Sequence, residues 1–252
     1  MAIEIPDSWK PGPKYVSLGA REIHVWRAPL DIAKEAGAQL GMTLTPDEQK
    51  RAARFATDKL RHRWVAGRGI LRNLLASYLG LPATEVRFRY GEHEKPYLAG
   101  KNTESTLHFN VSHSHGLALF GFSRDWEIGV DLEWIRFDLE QSAIASRFFS
   151  NRESETLERL PPRRQISHFF ALWTCKEAFV KAKGGGISFG LDRFDVQLEP
   201  GGDSAPIVSN EQGEIFPPWF AYRLDPGSGF AGALAVENAD PRVSLWDWPT
   251  AG

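Results

Sequence analysis

Two short stretches hold residues whose types and spacing can do chemistry. In "IGVDLE" (128–133), Asp131 and Glu133 stand two residues apart. On a strand they share one face, while Ile128, Val130 and Leu132 take the other. In "LWTCKEAFVKAKGGG" (172–186), helical winding gathers Phe169, Trp173, Lys176, Glu177 and Val180 on one side, with Lys181 close by. A core-facing stripe normally excludes charge. Two neighbouring carboxylates also repel unless a cation lies between them. If the helix brings Glu177 to Asp131 and Glu133, the three form a hard oxygen site suited to Mg²⁺, or Mn²⁺ in its place. Lys176 and Lys181 then become phosphate partners. The plainer alternative is a strand end facing water and an i,i+4 Glu177–Lys181 pair worth about 0.2–0.5 kcal/mol.

A third stretch, "FNVSHSHG" (109–116), lies just before a strand and offers Asn110, Ser112, His113, Ser114 and His115. Hydroxyls, backbone N–H groups and an imidazole suit an anion pocket. His113 and His115 alone do not make a zinc site, which takes three or four protein ligands. A fourth element is basic: Arg51, Arg54, Arg61, Arg63, Arg68 and Arg72 line two helices. Most of these read as a solvated face, with Arg63 in "RHRW" the exception. "GRGILRN" lacks the Gly-Lys-Ser/Thr of a phosphate-binding loop. "AKGGG" ends a helix rather than opening one.

The elements that must position these groups are legible. Thr45, Pro46, Asp47 and Glu48 start a helix over 44–56, and a second over 58–79 stops at Gly80. Strands are predicted over 22–30, 85–90, 117–122, 126–132, 194–198, 219–224 and 229–237. Helices are predicted over 138–150, over 150–160 with a Ser150–Glu153 capping box, and over 163–182. Residues 1–20 read as an irregular arm and 199–214 as a polar loop. A long amphipathic helix thus recurs in each half, which suggests two similar α+β lobes sharing a cleft, joined near 123–126.

Composition narrows the class. The chain has 252 residues with 30 Lys and Arg against 32 Asp and Glu, a net charge of −2. No global basic field favours nucleic acid, so a phosphate ligand needs a local site. Cys175 is the single cysteine, which excludes an internal disulfide and a cysteine-based zinc site. That fits a reduced, cytoplasmic setting. No signal peptide and no membrane span are expected.

Together and in this order, "FNVSHS", "IGVDLE" and "LWTCKEAFVKAKGGGI" resemble the signatures of the Sfp-type 4′-phosphopantetheinyl transferases. "EKPYL" (94–98), "SRFFSNRE" (146–153) and "RHRWVAGRGILRNLL" fit the same pattern, and the resemblance covers roughly residues 44–198. It implies an α+β pseudo-dimer of two similar lobes, each an antiparallel-type sheet on a long helix, with the active site in the cleft between them. The lobes would be 1–124, holding the adenine and 3′-phosphate side of coenzyme A, and 125–252, holding the metal and catalytic residues. It implies transfer of phosphopantetheine from coenzyme A to a serine of an apo carrier protein, releasing 3′,5′-ADP, by a monomeric enzyme. Asp131, Glu133 and Glu177 would bind Mg²⁺, and Lys181 the pyrophosphate. Arg63 and His113 would hold the 3′-phosphate with Ser112 nearby, and Lys95 would lie near the adenine. Glu177 would take the proton of the carrier serine. The family often has a basic residue two places after the Pro of the first helix; here that place is Glu48, which leaves Arg51 as its stand-in. Arg147, Arg152 and the basic residues of 159–164 form a candidate patch for an acidic carrier from fatty acid, polyketide or non-ribosomal peptide synthesis. Two other readings remain at this point: a Mg²⁺-dependent phosphohydrolase, and a non-catalytic scaffold that binds coenzyme A or a carrier.

Overall fold

The computed structural model describes the chain except residues 1–5, 7, 92–94, 101–105, 138–140, 186–189, 210–214, 238–239 and 250–252, and except the side chains of 141 and 215–218. Its strands are β1 (Lys10–Pro11), β2 (Glu22–Pro29), β3 (Phe88–Tyr90), β4 (Pro96–Leu98), β5 (His108–Ser114), β6 (Leu117–Ser123), β7 (Ile128–Trp134), β8 (Phe194–Val196), β9 (Ser204–Ser209), β10 (Ile215–Leu224), β11 (Phe230–Val236) and β12 (Arg242–Asp247). Its helices are α1 (Lys34–Gly41), α2 (Pro46–Ala52), α3 (Asp58–Leu79), α4 (Gln141–Phe148), α5 (Asn151–Glu158) and α6 (Pro162–Lys183). Among the described residues, no helix is long and apolar enough to cross a membrane.

Helix ends follow local chemistry. Thr45 and Glu48 close a capping box at α2, as Ser150 and Glu153 do at α5. Left-handed Gly80 ends α3 and left-handed Gly184 ends α6. Glu48, the departure from the family pattern, is buried and reaches back to Arg72 Nε at 2.8 Å and Arg68 Nε at 3.5 Å. It is a brace between α2 and α3 rather than a ligand contact.

Two five-stranded sheets carry the fold, in the orders β1-β12-β2-β6-β5 and β7-β11-β10-β9-β8. Period-2 alternation assigns every face. In β2, Trp26 and Ala28 pack with Ile70, Leu74 and Leu75 of α3, while Ile23 and Val25 face the other sheet. In the second sheet, Trp219, Ala221, Ala233 and Ala235 pack with Phe179 and Ala178 of α6, while Val130, Leu132, Tyr222 and Leu234 meet the first sheet. The layers therefore run α3, first sheet, second sheet, α6, an α+β arrangement of two lobes, each with a long helix on its outer face.

Several expectations change. The strands predicted over 117–122 and 126–132 belong to different sheets: β6 lies between β2 and β5, and β7 pairs with β11, so the chain passes from one sheet to the next at Arg124–Asp125. The tail does not stay in the second sheet, because β12 runs parallel to β2 and to β1 inside the first. The 125–252 segment thus supplies strands to both sheets, and the first sheet is mixed rather than wholly antiparallel. Part of the predicted 199–214 loop is strand β9, since Ala205 and Ile207 alternate inward into the α6 core. "FNVSHS" is itself a strand rather than a lead-in to one.

Candidate active site

Strand β7 points Gly129, Asp131 and Glu133 at α6. A Cβ on Gly129 would collide with the Ala178 carbonyl oxygen and stand 2.7 Å from the Ala182 nitrogen. The absence of a side chain there, with the small Ala178 and Ala182, lets helix and strand backbones touch. This close approach sets Glu177 and Lys181 beside Asp131.

Asp131 is 2% exposed. Its Oδ1 accepts from Lys181 Nζ at 2.5 Å and from Ser112 Oγ at 3.0 Å. Lys181 Nζ also donates to Ser112 Oγ at 2.9 Å. Asp131 Oδ2 is buried and has no hydrogen-bond partner. Glu133 and Glu177 lie within the electrostatic reach of Asp131 and Lys181. Burial, and then the charge of Asp131, push both carboxyls above the ordinary carboxylate range. Lys181 opposes that shift in both. Arg136 also opposes it at Glu133, so three carboxylates face one ammonium and one guanidinium, and the group is short of positive charge. Among the described residues no group of three or more His, Cys, Asp or Glu side chains is arranged to hold a metal ion.

A cavity of about 410 Å³ adjoins this group, lined by Arg51, Phe55, Arg63, Trp64, Pro96 and His113 among others. Asp31 grips Arg63 with both oxygens, Oδ1 at 2.7 Å from Nε and Oδ2 at 2.5 Å from Nη2. That clamp raises the guanidinium and lowers the Asp31 carboxyl. Burial, and then the charge of Lys181, lower the His113 imidazole, so cavity and carboxylates share one electrostatic environment. Arg51 and Phe55 also line a neighbouring trough of about 1000 Å³ with Lys50, Arg54 and Arg87.

The predicted residues divide accordingly. Asp131, Glu133, Glu177, Lys181 and Ser112 come together, and Arg63, His113 and Arg51 line the adjoining cavity. Ser112 and His113, expected side by side, occupy opposite faces of β5: Ser112 turns to β7, and His113 to the cavity. Lys95 Nζ donates to the carbonyl oxygens of Lys181 at 2.8 Å and Ala182 at 3.0 Å, a cap on the last turn of α6. Lys176 corrects the expectation outright. Its side chain is 0% exposed, its Nζ lies 2.7 Å from Glu153 Oε2, and it donates to the Phe194 carbonyl. A helix turns about 100° per residue, so Lys176 points into the α5–α6–β8 core while Glu177 points to β7. It is not a phosphate partner. Asp31 and Gly129 were missed; a glycine between Ile128 and Val130 was the one available signal of a close backbone approach.

Two lobes with their long helices outward meet at a charged group beside a cavity lined by Arg51, Arg63 and Arg68, a setting suited to an anionic substrate. A family model described as "4'-phosphopantetheinyl transferase, N-terminal" matches residues 33–121, and one described as "4'-phosphopantetheinyl transferase superfamily" matches residues 127–235. The chain is 37% identical over 241 residues to the 4′-phosphopantetheinyl transferase HetI of Nostoc sp., covering 96% of this chain and 98% of that one. It is 30% identical over 217 residues to the 4′-phosphopantetheinyl transferase Sfp of Bacillus subtilis, covering 85% and 92%. A human relative, the L-aminoadipate-semialdehyde dehydrogenase-phosphopantetheinyl transferase, is 30% identical over 166 residues, covering 63% and 54%. The chain belongs to the 4′-phosphopantetheinyl transferase superfamily, in its Sfp-type branch. It is an enzyme that transfers the phosphopantetheine arm of coenzyme A to a carrier protein.

Proposed function

We propose that Asp131, Glu133 and Glu177 hold a divalent cation, that Lys181 binds the pyrophosphate of coenzyme A, and that the Arg63–His113 cavity takes its adenosine 3′-phosphate end. The observation that carries this reading is the buried Asp131 Oδ2 without a partner, beside two carboxyls raised by burial and mutual repulsion. An open set of oxygen donors that leaves positions for water and phosphate oxygens suits Mg²⁺. The cation, when bound, would neutralise the charge that develops on the 3′,5′-ADP leaving group.

The chain's own residues then do the following. Arg51, Arg63 and His113 fix the nucleotide end, and Arg63 arrives already oriented by Asp31. Lys181 Nζ, on the seam between the lobes, meets the pyrophosphate. Glu177, with its raised proton affinity, is suited to take the proton of the carrier serine as its oxygen attacks the phosphate that bears pantetheine. That phosphate passes to the serine and 3′,5′-ADP leaves with the bonding electrons. Most of the acceleration comes from alignment and charge stabilisation. Arg147, Arg152 and the basic residues of 159–164 are the proposed docking patch for an acidic carrier domain of polyketide, fatty acid or non-ribosomal peptide synthesis. The enzyme is proposed to act as a cytoplasmic monomer.

Intact mass spectrometry of an apo carrier with the enzyme, coenzyme A and Mg²⁺ tests this. One added phosphopantetheine, lost with EDTA and in Asp131→Ala, is the expected result. Full transfer in EDTA overturns the cation reading. Coenzyme A cleaved with the carrier unmodified would restore the hydrolase alternative.

A further inference from the structure

Strand β7 lies at the edge of the second sheet, paired only with β11. In an antiparallel pair, alternate N–H groups point away from the partner, and at an edge they normally meet water. Here they do not. Val130 N–H donates to Asn110 Oδ1 at 3.0 Å, Leu132 N–H to Ser112 Oγ at 3.2 Å, and Trp134 N–H to Ser114 Oγ at 3.1 Å. Asn110, Ser112 and Ser114 are alternate residues of β5, the edge strand of the first sheet. One face of β5 thus stands in for a missing backbone neighbour, side chain by side chain.

The two serines do more than satisfy N–H groups. A hydroxyl has one proton and two acceptor positions. Leu132 N–H and the Lys181 ammonium are both obligate donors, so Ser112 Oγ accepts from each, at 3.2 and 2.9 Å. Its one proton is left for Asp131 Oδ1 at 3.0 Å. Ser114 repeats the pattern two residues along: it accepts from Trp134 N–H and faces Glu133 Oε2 at 3.5 Å. Each serine takes the N–H of one β7 residue and offers its proton to the carboxylate of the residue before it. Both of the Asp131 hydrogen bonds, from Ser112 and from Lys181, fall on Oδ1, which leaves Oδ2 as the atom without a partner.

We infer that Ser112 and Ser114, with Asn110, are positioning residues that fix the Asp131 and Glu133 carboxylates as a ready pair of cation ligands, and that the seam between the sheets is what sets their geometry. The inference rests on the cation reading proposed above. It assigns Ser112 to the carboxylates rather than to the 3′-phosphate.

The test compares Ser112→Ala, Ser114→Ala and the hydroxyl-preserving Ser112→Thr with the wild type. Mn²⁺ binding to enzyme and coenzyme A is read by electron paramagnetic resonance, alongside melting temperature and the Mg²⁺ dependence of transfer. Loss of such a supporting hydrogen bond weakens metal affinity about 10- to 100-fold. Both alanine variants are therefore expected to raise the Mn²⁺ Kd about tenfold or more and the Mg²⁺ half-saturation in step. The coenzyme A KM stays near wild type, and Ser112→Thr recovers most of the loss. Should Ser112→Ala fail to fold, Ser114→Ala, at the partly buried end of β5, decides. Unchanged Mn²⁺ affinity in a folded alanine variant, with only a lower melting temperature, overturns the inference. A rise in coenzyme A KM alone also overturns it. A wild type that binds no Mn²⁺ removes the cation reading itself, a result distinct from either.

Discussion

Gly129→Ala is the smallest change that separates the two halves of the active site. The added methyl would stand 2.7 Å from the Ala182 nitrogen and 3.0 Å from the Ala178 carbonyl carbon, and nearer still to that carbonyl oxygen. These are backbone atoms of α6, so no side chain can swing aside. Restoring ordinary separations of about 3.5 Å requires helix and strand to part by roughly 1 Å. Overpacking of this kind costs about 1–3 kcal/mol. At about 2–4 °C per kcal/mol for a chain of this size, melting should fall by roughly 2–12 °C. The larger effect falls on catalysis, because Asp131 and Glu133 ride on β7 while Glu177 and Lys181 ride on α6. A misplacement of about 1 Å costs on the order of 100-fold in rate. Carrier modification, followed by mass spectrometry at a temperature where the variant is folded, should show kcat/KM down about 100-fold. Gly37→Ala is the control: nothing lies within 4 Å of a Cβ there, in mid-helix α1. It should gain up to about 1 kcal/mol of stability and keep its activity. Wild-type kcat/KM in Gly129→Ala would refute the claim that this approach sets the site.

Lys176→Met leaves Glu153 as an uncompensated buried charge and should cost about 3–5 kcal/mol, while the folded fraction keeps kcat/KM near wild type; a catalytic loss without a stability loss would return Lys176 to the active site. Glu133 and Glu177 are both raised in the folded state, so their contribution is fully present below the ordinary value of 4.5 and is lost as pH rises through the raised values. In the Mg²⁺-free enzyme these two groups should therefore pull the melting temperature down as pH climbs from about 4.5 towards neutrality, against the opposite pull of the lowered histidines His24, His113 and His168. Glu177→Gln should remove part of that downward pull in calorimetry, and a pH profile identical to wild type would refute the assignment. Arg147 is exposed beside Phe148, and Arg147→Glu should raise the carrier KM and its salt sensitivity without altering the coenzyme A KM. Unchanged carrier kinetics would remove it from the docking patch.

Much of this was legible in local pattern. The alternation of Ile128, Val130 and Leu132 with Gly129, Asp131 and Glu133 gives both the strand and the shared face of the carboxylates, because strand period is fixed by backbone geometry. The Thr45 and Ser150 helix starts, and the glycines that end α3 and α6, follow from groups within a few residues. What escaped depends on distant partners. The inward turn of Lys176 required knowing that Glu153 and the Phe194 carbonyl wait on the buried side. The split of Ser112 from His113 follows from strand period alone, but only once 108–114 is read as a strand, and its polar residues obscure that. The polarity has a cause: these residues bond another sheet instead of filling a core. The pairing of β12 with β2 had no local signal, since a parallel partner more than 200 residues away leaves no turn to recognise.

That last pairing bears on how the molecule is made. The strand order β1-β12-β2 places residues 242–247 between two strands from the first 29 residues. While the chain leaves the ribosome, β2 has β6 on one flank and nothing on the other until residues 242–247 have emerged. The first sheet is thus finished last although four of its five strands are synthesised first. An excised 1–124 fragment should behave as an incomplete sheet with an open, aggregation-prone edge, and the two lobes are best regarded as one cooperative folding unit.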